Sequence, residues 1–137
     1  MSGTARLVPV PELADVAEYA YAATVDAPAR LVFTAGACPL DAEGRTVAPG
    51  DVAAQARQVM ANLAVALAAA GAGLDDVVRT TVYVASADRA DLVAAWQVVR
   101  DAFGDHEPPS TLLGVTVLGY PDQLVEVDAV AAVREVG

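Results

Sequence analysis

The run Leu124-Val125-Glu126-Val127-Asp128-Ala129-Val130 alternates with a period of two, and this commits the end of the chain to a β-strand. Successive side chains of a strand point to opposite faces. Val125, Val127, Ala129 and Ala131 therefore share one face, and Leu124, Glu126, Asp128 and Val130 the other. The first face is wholly apolar and needs a core. The second sets two carboxylates among apolar neighbours, where a charge must stay wet, find a partner or do chemistry. Most strand carboxylates belong to a solvated face or an interface ion pair, so the pattern alone leaves the role of Glu126 open.

Elsewhere the elements are clearly punctuated. Residues 19–25 and 30–36 read as strands separated by Asp26-Ala27-Pro28-Ala29, so a hairpin is expected after the Val8-Pro9-Val10-Pro11 lead. Gly36-Ala37-Cys38-Pro39 and Asp41-Ala42-Glu43-Gly44 make a loop rich in turn residues. Asp51 caps a helix running to Ala70, in which Val52, Ala56, Val59, Met60, Leu63 and Leu67 recur at helical spacing before Gly71 and Gly73. Residues 76–86 alternate, with Val78, Thr80, Val82 and Val84 on one face and Arg79, Thr81 and Tyr83 on the other. A second amphipathic helix over 88–103 carries Leu92, Val93, Trp96, Val99 and Phe103 and stops at Gly104. Strands over 111–118 and 123–133 follow, joined by Gly119-Tyr120-Pro121-Asp122. The order is ββαβαββ, an α+β pattern with no repeat or linker, and one domain over 1–137 is expected.

Two helices cover one face of such a sheet. The other keeps Leu113, Val115 and Val117, if Thr111 points the same way, with Leu124 and Val130 beside the carboxylates. An apolar sheet face of that size calls for self-association, which would put Glu126 at or near a subunit boundary.

Composition narrows the chemistry. Eighteen acidic against eight basic residues give a net charge of −10, the wrong sign for a phosphate backbone, so no nucleic acid is expected. All eight basic residues are arginine, which removes lysine Schiff-base chemistry and pyridoxal-phosphate attachment. One His and one Cys cannot build a metal-ligand cluster without relying on carboxylates. No apolar run approaches the roughly 20 residues of a bilayer span, so no membrane is expected. No basic segment followed by an apolar one opens the chain, so no signal peptide is expected, and the lone Cys38 fits a reducing cytoplasm.

Several segments together resemble the RidA family (YjgF/YER057c/UK114, the reactive intermediate deaminases). Asp51-Val52-Ala53-Ala54-Gln55-Ala56-Arg57-Gln58, with Asn62 and Ala69-Ala70-Gly71, resembles its long helix. Val78-Arg79-Thr80-Thr81-Val82-Tyr83-Val84 resembles the next strand, and Glu126-Val127-Asp128-Ala129-Val130-Ala131 the closing one. Phe33-Thr34-Ala35-Gly36 with Pro39 resembles the early Ser-Gly motif, and the likeness spans about residues 18–134. It implies a chorismate mutase-like fold assembled as a homotrimer, with a small-molecule ligand in each inter-subunit cleft. It also implies cofactor-free hydrolysis of enamines or imines. A glutamate matching Glu126 would orient or deprotonate water, and an arginine would fork onto the substrate carboxylate.

The chain departs from the pattern at that arginine. Pro109-Ser110-Thr111 stands where the family has Pro-Xaa-Arg, so Thr111 takes the carboxylate-binding position. Loss of such an anchor typically costs about 2–5 kcal/mol, which argues against a typical 2-imino acid as substrate. Ala35 replaces the family serine, and the family tyrosine matches either Tyr19 or Tyr21. The substrate-binding candidates are thus Thr111, Gly36, Leu113, Tyr21 and Tyr19, beside a catalytic Glu126. Asp128 is expected to pair with an arginine such as Arg79, Cys38 to pack or point into the site, and His106 to lie on a surface loop. A ligand-binding or accessory trimer on the same scaffold is the alternative to an enzyme. The endoribonuclease label historically attached to the family fits the charge worst.

Overall fold

The structure is a computed structural model and describes residues 5–15 and 18–135; the judgement on a signal peptide therefore falls partly on residues 1–4, outside the described ones. The strands are β1 (Ala5–Val8), β2 (Ala22–Val25), β3 (Ala29–Phe33), β4 (Val77–Val84), β5 (Ser110–Gly114) and β6 (Val125–Arg134). The helices are α1 (Val52–Ala69), between β3 and β4, and α2 (Arg89–Phe103), between β4 and β5. A four-stranded sheet runs in the order β3-β6-β4-β5, with β6 antiparallel to both neighbours and β4 parallel to β5. Both helices pack on one face of this mixed sheet, the chorismate mutase-like α+β arrangement that the resemblance implies.

β6 is central because both its faces have work to do. Val125, Val127, Ala129 and Ala131 are buried against α1, as the alternation requires, while Glu126, Asp128 and Val130 stay half-buried on the open face. Opposite them α1 lays Ala56, Val59, Met60, Leu63 and Leu67 into the core. Its first turn is closed by Asp51, whose Oδ1 accepts from the Ala54 amide at 3.0 Å, a cap worth about 1 kcal/mol. Arg30 closes the other end by donating to the Ala70 carbonyl at 2.9 Å. Among the described residues no helix is long and apolar enough to cross a membrane.

The expected hairpin does not form. β2 pairs with β1 in a separate two-stranded sheet, and β3 pairs with β6. The cause is what each strand can bury: β3 drives Val32 into the core, whereas Thr24 and Val25 of β2 remain exposed. Both strands are shorter than expected, and β1, which the sequence reading did not foresee, ends at Val8 where the proline-containing lead begins. A second difference lies in β4. A register shift between Val77 and Arg79 makes a β-bulge at Val78, so Val77 rather than Val78 joins Thr80, Val82 and Val84 in the core. Third, β5 ends at Gly114 instead of continuing to 118. There the backbone passes so close to the Ser86 carbonyl oxygen that a Cβ would lie 2.8 Å from it. Beyond that point the chain leaves the sheet, and Val117 is 76% exposed.

Candidate active site at the head of the closing strand

Strand register fixes what can meet on the open face. Tyr83 of β4 stands between Leu113 of β5 and Glu126 of β6, and one step along Thr81 stands between Thr111 and Asp128. Thr111, Leu113 and Glu126 therefore share one surface, with Leu113 and Glu126 about 10 Å apart across two strand spacings. Phe33 on the far strand, 71% exposed, lies on the same surface opposite Val130.

Glu126 is held more firmly than its neighbours. Gln123, buried just before the strand, donates its Nε2–H to Glu126 Oε1 at 3.1 Å and to the Val125 carbonyl at 3.1 Å. Its own Oε1 accepts from the Tyr120 amide at 3.0 Å, which fixes the orientation of the side-chain amide. The other carboxylate oxygen lies against Gly36, where a Cβ would stand only 2.1 Å from Oε2. Glycine is required here by space, not by backbone angle. The approach comes from the segment after β3: Thr34 and Ala37 both bond to β6, at Ala129 and Val127, so three steps of one strand face two of the other. The slack arches Ala35 and Gly36 toward the Glu126 side chain.

The Cys38 thiol completes the cluster, with Sγ 3.5 Å from both the Gly36 carbonyl oxygen and Glu126 Oε1. Burial pushes its pKa up, and the Glu126 charge and the thiol–carboxylate hydrogen bond push further, against a smaller opposing effect of Gln123. Such a thiol is a hydrogen-bond donor, not a ready nucleophile. Asp128 takes the Tyr83 hydroxyl at 3.2 Å, which, with burial as the larger cause, raises the Tyr83 pKa. It does not pair with Arg79 as expected, because Arg79 donates to Thr111 Oγ1 at 3.3 Å. Among the described residues no group of three or more His, Cys, Asp or Glu is placed to hold a metal ion.

One helix secures both loops beside Glu126. From α1, Gln55 accepts from the Leu124 amide at 2.8 Å and donates to the Asp122 carbonyl at 2.9 Å, holding Asp122 at a left-handed φ of 63°. Asn62, braced by Gln58, donates to the Cys38 and Leu40 carbonyls at 2.9 and 3.0 Å. Gln55, Gln58 and Asn62 entered the sequence reading only as part of the family-like helix, and their grip on the loops, like the role of Gln123, escaped it. The available signal was a row of amides at helical spacing beside an apolar stripe, which a buried helix face does not carry without partners.

Tyr19 and Tyr21 lie elsewhere in the chain. The Tyr19 ring meets Trp96 of α2 edge-on at 6.0 Å, and the Tyr21 hydroxyl donates to the Ala14 carbonyl at 2.7 Å. Both line a groove of about 670 Å³ with Pro9, Pro11 and Glu107, and neither Glu126 nor Thr111 lines it. His106 is half-buried, not a free loop side chain, its Nε2 2.7 Å from the Val77 carbonyl at the bulge.

Comparison with known proteins bears on this site. The family model described as Endoribonuclease L-PSP matches residues 12–133. A RutC family protein of Pyrococcus horikoshii is 35% identical over 100 residues, 73% of this chain and 77% of its own. The 3-aminoacrylate deaminase RutC of Acinetobacter baylyi is 34% identical over 103 residues, 75% of this chain and 79% of its own. Among solved structures, YyfB of Yersinia pestis, a conserved Rid-family protein of unknown function, is similar with a TM-score of 0.85 and 29% identity. That likeness covers 95% of this chain and 99% of the other.

Proposed function

The chain belongs to the endoribonuclease L-PSP family, the RidA/YjgF/UK114 proteins, and on that premise we propose that it hydrolyses a reactive enamine or imine without a cofactor. The observation that carries this reading is the grip on Glu126: one carboxylate oxygen held by Gln123, the other against Gly36, on an open sheet face. A fixed carboxylate can orient a water molecule and take its proton as the water oxygen bonds to the imine carbon. That proton passes to nitrogen to give a carbinolamine. Its hydroxyl proton is then carried to nitrogen through the carboxylate as the carbon–nitrogen bond breaks, leaving ammonia and a carbonyl product. An enamine enters the same route once its carbon is protonated. General-base help of this kind is worth about 10²–10⁴-fold.

The protein acts as a single RidA-like domain assembled into a cytoplasmic homotrimer. The exposed Phe33 and Leu113 support this, since an assembly would cover them and close a cleft over Glu126. Tyr19 or Tyr21 would enter such a cleft from a neighbouring subunit. With Thr111 in place of the family arginine, a typical 2-imino acid held by a two-point fork is not the substrate. The same substitution favours a second reading, a ligand-binding trimer without turnover.

Stopped-flow hydrolysis of imines generated by an amino-acid oxidase separates the two. Wild type should exceed the uncatalysed rate for at least one side chain, and Glu126→Gln should lose about 10²-fold or more of that. No acceleration for any imine rejects the hydrolase. A Thr111→Arg variant that gains activity on 2-imino acids would locate the difference at residue 111. Mass in solution tests the assembly, and a monomer would contradict it.

A further inference from the structure

Arg79 is one of five arginines, with Arg30, Arg57, Arg89 and Arg134, that make no ion pair among the described residues, and of these five it is the one that bonds to a candidate site residue. Arg6, Arg45 and Arg100 each pair with carboxylates, as a chain of net charge −10 makes easy. Arg79 makes none of the ion pairs among the described residues and instead donates to the neutral hydroxyl of Thr111. The nearest acid on the face, Asp128, is occupied by Tyr83. Its direction follows from the regular alternation of β4, which sets Arg79 on the open face with Thr81 and Tyr83; the bulge at Val78 turns only the residue before it inward. Val77 faces the core while Arg79 lies on the open face opposite Val130.

We propose that Arg79 and Thr111 together form the anion anchor for the ligand handled at Glu126, and that this ligand carries its carboxylate away from the reacting carbon. The proposal rests on the reading of Glu126 given above. Its geometry follows from register. The guanidinium reaches the level of Thr111, Thr81 and Asp128, whereas Glu126 lies at the level of Tyr83, two residues or about 6.6 Å along the sheet. A carboxylate bonded directly to the imine carbon sits only about 1.5 Å from it and falls short of that level. One removed by roughly two to four bonds reaches it. Asp128 repels an anion from the β6 side of the face, which confines the carboxylate to the β5 side, beside Thr111. The site is thus a relocated one-guanidinium anchor, selecting small enamine or imine acids with a displaced carboxylate.

Calorimetric titration of the full chain with butyrate, and with methyl butyrate as the neutral control, tests the anchor without any turnover. Butyrate should bind and the ester should not. Arg79→Met should weaken butyrate at least about ten-fold, and Arg79→Lys should retain part of the affinity. In the stopped-flow assay, the preference for a displaced-carboxylate imine over its methyl ester should fall by a similar factor in Arg79→Met, mainly through KM. Each variant's mass in solution and circular dichroism must match wild type. Butyrate affinity unchanged in a folded Arg79→Met overturns the proposal, as does a wild type that binds acid and ester alike. If wild type hydrolyses nothing, the hydrolase reading falls while the titration still decides the anchor. If hydrolysis depends on Glu126 but the acid–ester preference survives in Arg79→Met, the anchor alone falls.

Discussion

Gln123 and Glu126, three residues apart across the entry to the last strand, are joined by a 3.1 Å hydrogen bond from a side chain only 4% exposed. The bond makes the carboxylate a fixed object. Gln123→Ala should therefore lower kcat by about ten-fold or more while changing KM little, since it loosens the group that handles water and not the groups that would hold substrate. It should also cost about 1–3 kcal/mol of stability by stranding the Tyr120 amide. Steady-state kinetics beside urea denaturation give both numbers, and a pure KM effect would contradict the role.

Gly36→Ala should separate the site from the fold. The added carbon meets the far end of a flexible side chain, so Glu126 can swing aside without disturbing the core. The melting temperature should move by only a few degrees, while any Glu126-dependent activity falls by about 10²-fold, the cost of displacing a catalytic group by roughly 1 Å. Retention of full activity would show that the contact is incidental.

The Cys38 thiol should ionise above the usual range for a free thiol. Burial is the larger cause and the Glu126 charge the next, so both favour the neutral form. The rate of alkylation by iodoacetamide should rise with pH around a midpoint shifted upward. Glu126→Gln should bring that midpoint part of the way back, because burial remains. A midpoint at or below the ordinary thiol value would contradict the placement of Cys38.

Gln55→Leu should be more damaging than truncation of the other loop-gripping amide of α1, Asn62. It keeps the volume but leaves the Leu124 amide and the Asp122 carbonyl without partners at a buried position. A loss of about 2–4 kcal/mol is expected by urea denaturation, against about 1–2 kcal/mol for Asn62→Ala, whose own side chain is only half-buried.

How far the sequence could be read depended on whether a signal was periodic. The faces of β6, the stripe of α1 and the cap at Asp51 follow from spacing and side-chain chemistry, and all appear where spacing puts them. The bulge at Val78 is a single unpaired residue and leaves no trace in an alternating run of β-branched residues. The pairing of β2 with β1 was hidden because short strands compete for partners across the whole chain, and the winner is decided by burial. Glu126, Thr111 and Leu113 were legible as occupants of one face. Cys38 was expected to pack or point into the site, and its thiol does lie against Glu126; Gln123 was not legible, since its role arises only when the loop before β6 closes on the same carboxylate.

Gln55 and Asn62 stand seven residues apart on one helix, a rise of about 10 Å, and each grips a different loop. The helix therefore works as a ruler: the gap between the two walls beside Glu126 is measured in turns of α1, not in the lengths of the loops themselves. The outer tip at Asp41–Arg45 could lengthen, shorten or change its charge without altering that gap, whereas a one-residue insertion between Gln55 and Asn62 would rotate one grip by about 100° away from its loop. Variation in what the pocket accepts is thus free to accumulate at the rim, while its width is inherited from the core.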